Sequence, residues 1–98
     1  MAITLNKYAE LCEEIAIVSG RITPNSSAGP LLYDISRNWR RLLDASGFQS
    51  DNPGGWSEKE ESAAEVIISA LTYLQHLGCK DIEQLLKDTV ERHIRQSV

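Results

Sequence analysis

Ser57 and Glu60 open the longest uninterrupted apolar segment of the chain, and that segment constrains the fold more than any other. A serine followed three residues later by glutamate is a capping box, in which each side chain satisfies a backbone amide that the first helical turn leaves without a partner. From there Ala63, Ala64, Val66, Ile67, Ile68, Ala70, Leu71, Tyr73, Leu74 and Leu77 cover most of a helix's circumference before Gly78 stops it. A helix so apolar is buried on several sides, so the other elements must pack around residues 58–77. One narrow stripe interrupts it. Ser62, Glu65, Ser69, Thr72 and His76 follow one another at three- and four-residue steps.

Three further helices are predicted. Thr4 can cap a helix over about residues 5–19, with Gly20 as its left-handed stop and Leu5, Tyr8, Leu11, Cys12, Ile15 and Val18 as its apolar face. Residues 21–29 hold Pro24, Asn25, Ser26, Ser27 and Gly29 and read as a loop. Pro30 then suits a first helical turn, and a helix over 30–45 places Leu31, Leu32, Ile35, Trp39, Leu42 and Leu43 on its buried side, with Gly47 as the stop. Asn52, Pro53, Gly54 and Gly55 mark a turn. Asp81 with Gln84 starts the last helix, over 82–95, with Ile82, Leu85, Leu86, Val90 and Ile94 apolar. The expected fold is an all-α, four-helix bundle-like single domain spanning residues 1–98, without strands, repeats or a long heptad run.

Composition narrows the function classes. A chain of 98 residues, 42% apolar and 24% charged, is ordinary for one globular domain. A net charge of −4 argues against general nucleic-acid binding, because phosphates demand a basic surface. No stretch reaches the roughly 18 apolar residues of a membrane span, and the N-terminus lacks the basic-then-apolar pattern of a secretory signal. Cys12 and Cys79 are too few for a disulfide scaffold, so free thiols in the cytoplasm are expected, with a single bridge as the alternative.

Two clusters can carry chemistry. Glu61 and Glu65, four residues apart, place two carboxylates on one side of the third helix. Glu65 between apolar flanks must face water, a cation or a base on a neighbouring helix, because an unpaired buried carboxylate costs several kcal/mol. Arg37, Arg40 and Arg41 share a side of the second helix and can grip phosphate groups bidentately, or simply form a solvated face paired with the chain's excess acids. Asp34 can pair with Arg37 or help hold a cation. His76 and His93 have no Cys or His neighbour at zinc-site spacing. Tyr8, Trp39 and Tyr73 read as core anchors, and Trp56, in a Gly-rich loop, is the better candidate for stacking on a base.

The segment Glu60-Glu61-Ser62-Ala63-Ala64-Glu65-Val66-Ile67-Ile68, running on to Leu77-Gly78, resembles part of the MazG-like nucleotide pyrophosphohydrolases, an all-α family. In that family the segment opens with a Glu-x-x-Asp motif and ends in Leu-Gly. Leu32-Tyr33-Asp34-Ile35-Ser36-Arg37-Asn38-Trp39 falls where the family has Glu-Glu-x-x-Glu, and the first helix resembles its opening segment. The resemblance implies a nucleotide or other small phosphorylated ligand and hydrolysis of nucleoside triphosphates to monophosphate and pyrophosphate. It also implies Mg²⁺ held by Asp34, Glu61 and Glu65, with Glu61 and Glu65 as the catalytic acids and Arg37, Arg41 and Trp56 on the ligand.

The motifs are altered in this chain. Asp34 keeps the second acid of the first motif, while Tyr33 and Arg37 replace the others. Ser62 replaces the Glu of the second motif, and Glu65 stands in for its Asp. Thr89 and His93 occupy the late Lys and Asn positions, with Lys87 nearby. A guanidinium about 5 Å from a divalent cation costs roughly 6–7 kcal/mol at an effective dielectric near 20. Ordinary two-metal chemistry is therefore disfavoured, and a non-catalytic relative that binds or assembles through the same scaffold is the competing expectation. The apolar third helix and the resemblance both lead to an expected homodimer with that helix near the interface.

Overall fold

The computed structural model describes residues 2–97, and its elements begin where the capping chemistry places them. Helix α1 spans Leu5–Val18, α2 Gly29–Asp44, α3 Glu58–His76 and α4 Ile82–Gln96. Thr4 accepts from the Lys7 amide, Asp81 accepts from the Gln84 amide, and both bonds of the Ser57–Glu60 capping box are made. Gly20 and Gly78 adopt the left-handed conformation that ends α1 and α3. Gly47 does not stop α2, which already ends at Asp44 with an extended Ala45. Among the described residues there is no strand, only an isolated antiparallel bridge between Gln49 and Ser57 that closes the α2–α3 loop. Among the described residues no helix is long and apolar enough to cross a membrane.

Helix α3 is the axis. α1 and α2 flank it without approaching each other closely, and α4 meets α1 and α3 but not α2. Two small clusters hold this arrangement. Ala9, Leu71 and Ile82 pack with Leu5, Leu74 and Cys79 where α4 is rooted. Ala16, Ile22 and Leu31 pack with Ile17 and Tyr73 at the opposite end of α1. The α4 root is further fixed by Asn6, whose Oδ1 accepts from the Ile82 and Glu83 amides while its Nδ2 donates to Asp81 and Glu83. Those amides belong to the start of α4 and have no partner within the helix.

Three expectations about faces are corrected. On α1 the fully buried residues are the small Ala9 and Ala16, while Tyr8 is 50%, Ile15 61% and Val18 87% exposed. On α2 Leu31 is buried, but Leu32, Trp39 and Leu43 are exposed and Asn38 occupies the inner face. On α3 the polar stripe turns inward over part of its length: Ser69 and Thr72 are buried and His76 is nearly so, while Ile67 and Ile68 face out. Helices approach closely across small side chains, so the chain spends its small residues on its own packing. Many of its large ones, Tyr8, Ile15, Trp39 and Leu43 among them, remain outside, while Ile22, Leu31, Leu71 and Ile82 are buried. Trp39 and Tyr8 are accordingly surface residues, and only Tyr73 joins the core. Cys12 and Cys79 are partly buried free thiols.

Candidate functional site: a charged cleft between α2 and α3

A cleft of about 400 Å³ opens between α2 and the first half of α3. Arg37 and Arg41, one turn apart, form one wall, and Glu58, Glu61, Ser62 and Glu65 recur along the facing side of α3. Asn52 of the connecting loop closes one end. The floor is Asn38, which donates to Ser69 Oγ, while Ser69 in turn donates to the Glu65 carbonyl. That buried polar contact satisfies both side chains.

The acids of the cleft differ in their partners. Glu58 accepts from both the hydroxyl and the amide of Ser46, at 2.6 and 3.2 Å, and these bonds hold its carboxyl below the usual range. Glu61 accepts from Asn52 Nδ2 at 3.1 Å. Glu65 has no hydrogen-bond or ion-pair partner among the described residues, and neither has Arg41 on the opposite wall. A further hollow of about 350 Å³, lined by Tyr33, Arg40 and Asp44, continues from Arg37 and Arg41 along the outside of α2.

Of the six residues singled out in the sequence, the structure brings Arg37, Arg41, Glu61 and Glu65 into this cleft. Asp34 is not among its lining residues. Its side chain is only 15% exposed, with Oδ1 3.2 Å from Arg37 Nη2 and Oδ2 3.8 Å from Arg21 Nη1. Trp56 lies beyond Glu61, over a separate hollow shared with Glu60 and Ala64. Its ring stands so close to Gly54 that a Cβ there would meet Nε1 at 2.8 Å. Sequence reasoning missed Arg21, Asn38 and Asn52. Only Asn38 left a signal, as a polar residue one turn beyond Asp34.

These donors do not fit Mg²⁺. The ion demands an octahedral shell of oxygens, and among the described residues no three His, Cys, Asp or Glu side chains gather closely enough to hold a metal. Asp34 is already neutralised by two guanidiniums, Glu58 and Glu61 are engaged by Ser46 and Asn52, and Arg37 and Arg41 bring positive charge to the same space. Two guanidiniums and three carboxylates, those of Glu58, Glu61 and Glu65, thus share the cleft. No family model, curated protein or solved structure matches the chain.

Proposed function

We propose that this chain is a non-catalytic helical binding and assembly module, a homodimer that takes a phosphorylated small ligand, a nucleotide first of all, in the α2/α3 cleft through arginine and without a metal. The exchange of charge at Asp34 and Arg37 supports this most directly. Where the MazG-like resemblance expects two acids facing a cation, one acid is sequestered by the guanidinium that replaced the other. Arg41, one turn on and unpaired, is free to meet a phosphate bidentately, a charge-assisted contact stronger than a neutral hydrogen bond. Ser62, Asn52 and Asn38 can complete a ligand's polar contacts.

Calorimetric titration with nucleoside mono-, di- and triphosphates in EDTA tests the ligand half of this reading. Binding is expected without divalent cation, and Arg41→Glu should weaken it about tenfold or more by replacing an attraction with a repulsion. Mg²⁺-dependent release of pyrophosphate, lost in Glu65→Gln, would instead establish the hydrolytic reading that the resemblance implies.

The assembly half rests on exposed apolar surface. The accessible area is 7292 Å², against about 5,600 Å² expected for a compact 10.9-kDa monomer. The excess, about 1,700 Å², is roughly twice what each partner of a standard interface contributes. Light scattering at tens of micromolar should give twice the chain mass. Ile67→Asp, at an exposed position of α3, should return the protein to monomer with its helicity intact. A monomeric wild type overturns the dimer.

A further inference from the structure

An apolar hollow runs between α1 and α3. It measures about 500 Å³ and is walled by Tyr8, Leu11, Cys12 and Ile15 on one side and Ile67 and Ile68 on the other. Nothing in the chain's own fold covers it. The chain also carries an apolar stripe that nothing covers. Beyond Ile82, α4 leaves the body, and Leu86, Val90 and Ile94 recur at four-residue steps on one side of it, all exposed.

Resting on the dimer proposed above, we infer that the two copies exchange arms: the α4 of each copy seats Leu86, Val90 and Ile94 in the α1/α3 groove of the other. Dimensions agree. The stripe spans eight residue steps, about 12 Å of helix, and the groove follows α1 over ten steps from Leu5 to Ile15, about 15 Å. Anchors one turn apart laid into an apolar groove are a common way for a helix to be recognised.

The arm cannot serve its own groove. Leu5 and Leu71 line one end of the groove and also pack at the root of α4. The Asn6 bonds fix the first turn of α4 at that point, and beyond it Leu86, Val90 and Ile94 are exposed. The arm is thus pre-oriented and outward-pointing, which lowers the ordering cost of docking. The extended shape follows. The radius of gyration is 15.1 Å, against about 12.6 Å for a compact domain of this length. A two-fold exchange covers both grooves and both stripes and leaves nothing open for a third copy.

Cys12, already in the groove, makes the arrangement testable in the intact chain. In a Cys79→Ser background, Leu86→Cys, Val90→Cys and Ile94→Cys are oxidised one at a time and run on a non-reducing gel. At least one is expected to give a covalent species of dimer mass, abolished by Cys12→Ser. A dimeric protein in which none of the three crosslinks would overturn the exchange while leaving the dimer standing. A bridge within one chain would show α4 folded onto its own groove and also overturn it. A monomeric wild type defeats both readings.

Discussion

Ile82→Ala is expected to destabilise the protein by about 2–5 kcal/mol, the range for removing a large aliphatic side chain from a site that cannot collapse. Ile82 is completely buried, and it is the residue through which α4 meets Ala9 of α1 and Leu71 of α3. The site resists collapse because the Asn6 bonds hold the backbone of Ile82 and Glu83 in place whatever side chain position 82 carries. The buried core is small, so the loss is a large share of the 5–15 kcal/mol by which domains are ordinarily stable. For a domain of about this length each kcal/mol moves the thermal midpoint by about 4–8 °C. Calorimetry at fixed protein concentration should therefore record a fall of at least about 8 °C. Concentration must be held constant because dimerisation adds to the apparent stability. Leu86→Ala, on the exposed stripe of the same helix, should leave the stability of the isolated chain nearly unchanged and act on association instead. An equal loss from both variants would mean that α4 is not divided into a buried root and a free arm.

The positions of the helices were legible in the sequence because capping is local chemistry. Thr4, Ser57 with Glu60, and Asp81 with Gln84 each act within one turn, and the structure has each of them. Which face points inward was less legible. Periodicity separates the apolar side of α1 from its charged side, but it cannot say whether that apolar side meets the same chain or another surface. Ala9 and Ala16 lie at one edge of the face predicted from Leu5, Tyr8 and Ile15, and a rotation of that size leaves the pattern looking the same. The course of the stripe on α3 was no more legible, for a related reason. Ser69 and Thr72 hydroxyls can satisfy themselves on the carbonyls of Glu65 and Ile68 one turn back, so small polar residues enter a helix interface at little cost. At the cleft, four of six residues converge because their spacing along α2 and α3 is helical. Asp34 and Trp56 do not, because Arg21 and Gly54 lie in loops whose course no period describes.

His76 shows what such an inward polar residue contributes. The ring is 5% exposed, with Nδ1 3.0 Å from Glu13 Oε2 and Nε2 2.6 Å from the Ser26 carbonyl. Both partners accept, so the geometry suits a ring that donates from both nitrogens, an imidazolium that would tie α3 to α1 and to the loop before α2. The Ser26 carbonyl first, then the Glu13 carboxylate, raise its pKa above the ordinary 6.5, against the opposing effect of burial. The sign follows directly: the folded state holds this proton more tightly than the unfolded chain. Its stabilisation is complete below about pH 6.5 and is lost as pH rises through the folded-state value. Urea denaturation should give lower stability at about pH 8 than at about pH 6, a range below that of Cys12, whose thiol burial pushes up from 9.0. His76→Ala removes both bonds and leaves a partly buried carboxylate without its cation, at a cost of about 2–4 kcal/mol at the lower pH. In that variant the slope between the two pH values should largely disappear. A slope that survives the substitution would place the titrating group elsewhere and leave His76 a neutral ring.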